Sequence, residues 1–141
     1  MIKNNKGFTL IELLVTMSII IVIAAISVPG LLSYQEKQNE DRLINAFISQ
    51  FRNYQQLALS KDSDMKIEVT NSTKISFCDS TKCETLSSSS TLFNQNLTFY
   101  INKYGDILNS SQTSITNDLI LESSNYKLTI NKYGGISKQN K

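Results

Sequence analysis

The sequence predicts an α+β protein: one long N-terminal helix whose distal half packs on a small antiparallel β-sheet, or on two. Three observations predict it. From Phe8 to Leu32 almost every residue is apolar, and Glu12 is the only charge. Apolar side chains then recur at helical spacing between Leu43 and Ala58. From Lys61 the period falls to two, with Asn, Ser and Gly punctuating short runs. At 141 residues the chain holds one domain's worth of material.

The apolar run is long enough to cross a bilayer as a helix, which takes about twenty residues. Residues 1–7 before it are short, polar and basic, and Lys3 and Lys6 keep that end cytoplasmic while the chain after Val28 is exported. A plain single-pass anchor would fit. So would a secretory signal cut after Ala25-Ile26-Ser27. Glu12 argues against both, because a carboxylate in hydrocarbon costs about 2.5–3.5 kcal/mol at a helix centre and persists where it has a function. If the chain is cut between Gly7 and Phe8, the new amine on Phe8 can meet the Glu12 carboxylate of a neighbouring molecule. Two charges that are costly alone then satisfy one another and set the register of packed helices.

Pro29-Gly30 should interrupt the helix, as a kink or melted turn where it leaves the membrane. Beyond it Leu43, Phe47, Phe51, Tyr54 and Ala58 define one face, while Asp41, Asn45, Ser49, Arg52 and Gln56 define the opposite one. A helix from Phe8 to about Ser60 would measure roughly 80 Å.

Met65–Thr70 and Lys74–Phe77 alternate apolar and polar residues around Asn71-Ser72, a hairpin pattern leading into Cys78 and Cys83. Leu86 and Leu92-Phe93 flank a polar surface loop at Ser87–Ser90. An internal echo follows. Leu97–Ile107 recurs as Lys127–Ile136, each copy a strand, an Asn-Lys-Tyr-Gly turn and a return strand, with Gly supplying positive φ. Residues 117–122 form another strand between the copies. The expected division is therefore 1–7, leader; 8–28, membrane helix; 29–60, amphipathic continuation; 61–141, β-rich head.

Chemistry is constrained by what is missing. The sequence has no His, which removes His triads, His metal sites and imidazole acid–base catalysis. Asp62, Asp64 and Glu68 are scattered acids without the spacing of a calcium loop. No catalytic residue, metal site or cofactor is expected. Two cysteines in an exported segment suggest one short disulfide; a half zinc site or two free thiols are the alternatives. The charge balance is near neutral, fourteen basic against twelve acidic residues, or twelve against twelve without Lys3 and Lys6. Bulk charge will not hold such a chain to nucleic acid.

The segment Lys6-Gly7-Phe8-Thr9-Leu10-Ile11-Glu12-Leu13-Leu14-Val15 resembles the class III signal of type IV prepilins and pseudopilins. The resemblance implies cleavage after Gly7 by a prepilin peptidase, methylation of Phe8 and an assembly role for Glu12. Pro29 sits where pilins commonly place a kinking proline. The implied partners are the peptidase, other pilins, an inner-membrane assembly platform and, before assembly, membrane lipid. The strand–Gly-turn pattern over about residues 95–138 is similar to minor pseudopilins of the general secretion pathway H class, and to minor and competence pilins. The implied protein is a minor subunit of a filament, first in the membrane and then on the cell surface. Relatives in competence systems bind DNA through a basic C-terminal segment. Here Lys127, Lys132, Lys138 and Lys141 are the counterpart, with Tyr126 and Tyr133 for stacking, although the segment lacks Arg. A solvated basic tail explains the same lysines.

Overall fold

The computed structural model describes residues 8–70, 73–88 and 92–141, with only the backbone described at Val28 and Pro29. The chain forms two compact units, the first ending at Gln38 and the second running Asn39–Lys141. Helix α1 spans Leu10–Lys61 and contributes to both.

In the first unit the described side chains of α1 all face outward, from Leu10 and Ile11 through Ile19–Ile23 to Leu31 and Leu32. The helix is long and apolar enough to cross a membrane. Its few hydroxyls are silenced locally. Ser18 and Ser27 donate to the carbonyls of Leu14 and Ile23 at 2.8 and 2.9 Å, and Thr16 donates to Leu13 O at 2.9 Å. Such back-bonding satisfies polar groups where hydrocarbon offers no partner. The helical backbone continues through Pro29 and Gly30, so the melted turn expected there is not formed. Proline removes one backbone donor, and the turns on either side keep the helix running. The Pro29 side chain lies outside the described residues.

In the second unit α1 buries Ile44, Phe47, Phe51, Tyr54 and Ala58, with Leu43 half-buried beside them. Asn45, Ser49, Arg52 and Gln56 are exposed, as the helical period requires. The helix ends in a Schellman motif: Asp62 adopts φ 50°, and Ser63 N donates to Ala58 O at 3.3 Å.

Eight strands follow in two antiparallel sheets. The first contains β1 (Met65–Thr70), β2 (Lys74–Cys78), β3 (Cys83–Ser87), β4 (Leu97–Ile101) and β5 (Ile107–Leu108), ordered β3-β2-β1-β4-β5. The second contains β6 (Leu119–Glu122), β7 (Tyr126–Ile130) and β8 (Ile136–Asn140) in sequence order. Alternation puts Met65, Ile67, Val69, Ile75, Phe77, Phe99 and Ile101 on the buried face of the first sheet, and Leu121, Leu128 and Ile130 on that of the second. All join one core with the helix stripe. Phe47 stands at its centre, with ring centroids 6.2 Å from Phe51, 5.7 Å from Phe77 and 5.5 Å from Phe93.

The hairpin at Met65–Phe77 forms as its alternation predicts, although its turn residues Asn71 and Ser72 lie outside the described residues. One feature differs from the expectation. Cys83–Ser87 is a full edge strand rather than the approach to a loop, because the Cys78–Cys83 disulfide and a four-residue turn place it against β2. Phe93, flanking the polar stretch as expected, is in addition fully buried, its ring packed edge-on to Phe47. Ser89 and Ser90 of the intervening polar stretch lie outside the described residues.

The two echoed segments form matched hairpins. Asn102 Oδ1 accepts from Tyr104 N and Asp106 N at 2.9 and 2.8 Å; Asn131 Oδ1 accepts from Tyr133 N and Gly135 N at 3.0 and 2.8 Å. Gly105 and Gly134 close the turns at φ 86° and 75°. Gln55 on α1 ties them together, its Nε2 donating to Gly105 O at 3.1 Å and Gly134 O at 3.4 Å. The glycines are therefore not equivalent. A Cβ at Gly105 would meet only Gln55 at 3.6 Å, whereas one at Gly134 would lie 2.6 Å from Gly105 O and 2.0 Å from Gln55 Nε2. Gly105→Ala should cost about 1–2 kcal/mol, the strain of a left-handed backbone. Gly134→Ala should cost about 3 kcal/mol or more, since a backbone carbonyl must also move. Chemical denaturation of the two variants checks this, and equal losses would refute the arrangement.

Candidate functional site

Helix α1 begins at Leu10, so Thr9 occupies the N-cap and Glu12 the third helical position. That spacing is the capping box, in which a Thr hydroxyl and a Glu carboxylate each accept from the other's backbone amide. Both bonds form at 3.4 Å: Glu12 N donates to Thr9 Oγ1, and Thr9 N to Glu12 Oε2. These lengths lie beyond the usual range for a strong N–H···O bond. The cap therefore orients the carboxylate without consuming it, and Glu12 remains exposed for a stronger donor. Phe8 is 83% exposed just outside the helix. Gly7, the residue before the expected cut, lies outside the described residues, as do Lys3 and Lys6. The helix N-terminus adds a partial positive charge beside Glu12, worth about 0.3–1 kcal/mol at an exposed site.

Cys78 and Cys83 form a disulfide with Cα atoms 4.0 Å apart, which replaces the zinc half-site and free-thiol alternatives. Asp79 organises the enclosed turn. Its Oδ1 accepts from Thr81 N and Lys82 N, each at 2.7 Å, and its Oδ2 accepts from Lys61 at the end of α1 at 2.6 Å. The Lys61 ammonium and these amides hold the Asp79 carboxyl far below the ordinary aspartate range. Among the described residues no cluster of three or more Cys, Asp or Glu side chains is arranged to hold a metal.

The C-terminal lysines do not form a free basic track. Lys138 Nζ is ion-paired with Asp41 on α1, donates to Asn45 Oδ1 at 3.2 Å and lies 4.3 Å from the Tyr126 ring centroid. Lys141 pairs with Glu122 at 3.0 Å and donates to Ser123 O at 2.9 Å. Lys127 stands opposite Glu122 in the β6–β7 register. Lys132 lies over its own neighbour's ring, 4.7 Å from the Tyr133 centroid. Tyr133 is exposed, but Tyr126 is buried and presents no face for stacking. Local spacing does not display this, because Asp41 lies 97 positions from Lys138 and Glu122 lies 19 from Lys141.

Residues 2–28 match the prokaryotic N-terminal methylation motif. A 55-residue stretch is 38% identical to the type IV wide pilus major component PilA4 of Thermus thermophilus, covering 39% of this chain and 41% of that protein. The chain thus spans about two fifths of the length of this curated relative. No solved structure matches significantly. The long N-terminal helix on antiparallel sheets is a type IV pilin-like α+β fold, and the matched motif lies at its start. Over these stretches the chain is similar to type IV pilins.

The contacts between α1 and the C-terminal hairpin predict a pH response. Lys138 hydrogen-bonds Asp41 and holds its carboxyl below the ordinary aspartate value. Lys141 does the same for Glu122. Burial pushes Glu40 up, but hydrogen bonds from Ser123 and Asn125 outweigh it and leave the group lowered. A lowered folded-state value adds stability above the unfolded-state value and loses it as pH falls. Thermal unfolding of the full chain in detergent should be flat from roughly pH 5 to 8 and fall progressively below about pH 4. Asp41→Asn should flatten part of that acid limb.

Proposed function

We propose that this chain is a structural subunit of a type IV pilus or pseudopilus, present as a minor component, made as a prepilin and assembled through α1. In this reading residues 1–7 are the leader, 8–28 the membrane and filament-core segment, 29–60 the amphipathic continuation and 61–141 the head. The prepilin waits in the membrane with its N-terminus cytoplasmic and its head outside. The peptidase cuts after Gly7, Phe8 becomes the methylated terminus, and the assembly platform moves the subunit into the filament.

One observation carries this reading: the outward-facing apolar stretch of α1 up to Leu32 carries a single carboxylate, Glu12, in its first turn and four residues from the expected new terminus. Magnitudes favour an intermolecular partner. Burying the carboxylate costs a few kcal/mol, whereas the helix dipole returns about 1 kcal/mol at most and the 3.4 Å cap adds little. Apolar helices gain little from one another beyond what lipid already supplies. The Glu12–Phe8 amine pair then specifies which helices meet and at what offset.

The minor role rests on the strand–Gly-turn hairpins at Leu97–Ile107 and Lys127–Ile136. The matched relative is named as a major component, so copy number in purified filaments is the measurement that decides. A DNA-uptake role draws less support, since Lys138 and Lys141 already have carboxylate partners. Glu12→Leu should leave leader removal intact, with mature protein beginning at Phe8, and should lower filament incorporation roughly tenfold or more. Normal incorporation of that variant would defeat the assignment.

A further inference from the structure

Two hollows flank the Asn131–Gly135 turn. The larger, about 430 Å³, is lined by Asp106, Ser114, Ile115, Thr116, Lys132 and Tyr133. The smaller, about 230 Å³, is lined by residues including Asp118, Thr129, Asn131 and Ser137. Both border the same turn, the larger through Lys132 and Tyr133 and the smaller through Asn131 and Gly135, and the chain runs from Ser114–Thr116 in the first to Asp118 in the second. The larger falls within the size range of small-molecule sites.

We propose that this pair of hollows is a binding site for a neutral saccharide, with the Tyr133 ring as its stacking platform. The lining has the right chemistry. Hydroxyls, an amide, two carboxylates and one ammonium offer donors and acceptors around an aromatic ring that is 68% exposed. Sugar rings pair C–H faces with aromatics and hydroxyl edges with such groups. The charge excludes a polyanion, because Asp106 and Asp118 outnumber Lys132. Among the described residues neither acid is ion-paired, nor is Lys132.

The platform is also preorganised. The Asn131 side chain locks the turn through Tyr133 N and Gly135 N, Gly134 closes it at positive φ, and Ile107 N donates to Lys132 O at 2.8 Å. A ligand therefore has little backbone to order. The neighbouring turn displays Tyr104, 72% exposed, on an equally locked frame.

The test uses the ¹⁵N-labelled full chain in dodecylphosphocholine micelles, which carry no sugar headgroup, titrated with cellobiose, N,N′-diacetylchitobiose and lactose. At least one disaccharide should shift the amides of Ser114, Thr116, Lys132 and Tyr133 along a saturable curve, with a dissociation constant in the millimolar range. Tyr133→Ala and Asp106→Ala should each weaken it roughly tenfold while the remaining amide spectrum stays intact. No saturable shift with any of the three overturns the proposal. So does a response indifferent to both substitutions, or a response at these amides to decathymidylate alone. None of these outcomes bears on leader removal or filament entry, which report on the assembly reading instead.

Discussion

The aromatic stripe of α1 is the contact on which the second unit depends. Phe47, Phe51 and Tyr54 occupy successive turns and touch strands of the first sheet through Phe77 and Phe99, while Leu121, Leu128 and Ile130 of the second sheet join the same core. Fully burying such a side chain is worth about 1.5–3 kcal/mol. The surface ion pairs around it are worth about 1 kcal/mol or less each. Removing the stripe would leave two small sheets, neither with a core of its own. Backbone bonds such as Ile107 to Lys132 and Asn94 to Glu122 then fix alignment that apolar contact, being non-directional, cannot.

The N-terminal segment meets the reverse constraint. Its described side chains face outward and are mostly apolar, a surface suited to a covering of lipid or of neighbouring helices. Hydroxyls are tolerated there by bonding back to the helix, as Ser18 and Ser27 do. A carboxylate has no such refuge, since a helix carbonyl cannot donate to it. Only the helix start offers free amides, and Glu12 is placed where Thr9 N can reach it. In the proposed reading the same position also lies close to the terminus that cleavage would create, so one location would serve both the waiting and the assembled subunit.

Periodicity made much of this fold legible, and contacts between distant residues did not. The helix stripe, the β1–β2 hairpin and both Asn-Lys-Tyr-Gly turns follow from local spacing and turn chemistry, which a sequence displays directly. Ile44 was missed because it lies one residue beside the expected line on a wider buried face. Phe93 was missed because a buried loop residue has no period. The polar ties were hidden for another reason. Gln55 to Gly105 and Gly134, Lys138 to Asp41 and Asn125 to Glu40 each join residues fifty or more positions apart. The C-terminal lysines therefore resembled a free basic tail until their partners were placed.

The internal echo shows how one local sequence can yield two unlike surfaces. Both turns fold identically, since Asn and Gly at matching positions dictate the same hydrogen bonds and the same positive φ. Their surroundings then separate them. Lys103 is drawn to Asp62 at the end of α1, at 3.3 Å, and so answers to the helix cap. Lys132 meets no such acid among the described residues and rests on Tyr133 beside an open hollow. Gly134 is pressed against Gly105 O and Gln55, whereas Gly105 has room. The first turn is thus bound to the helix end through its lysine, and the second is held through its backbone, which leaves its side chains free to face outward. Both frames are equally locked, and what distinguishes the second copy is that its lysine rests on its own tyrosine beside an open hollow instead of reaching an acid on the helix.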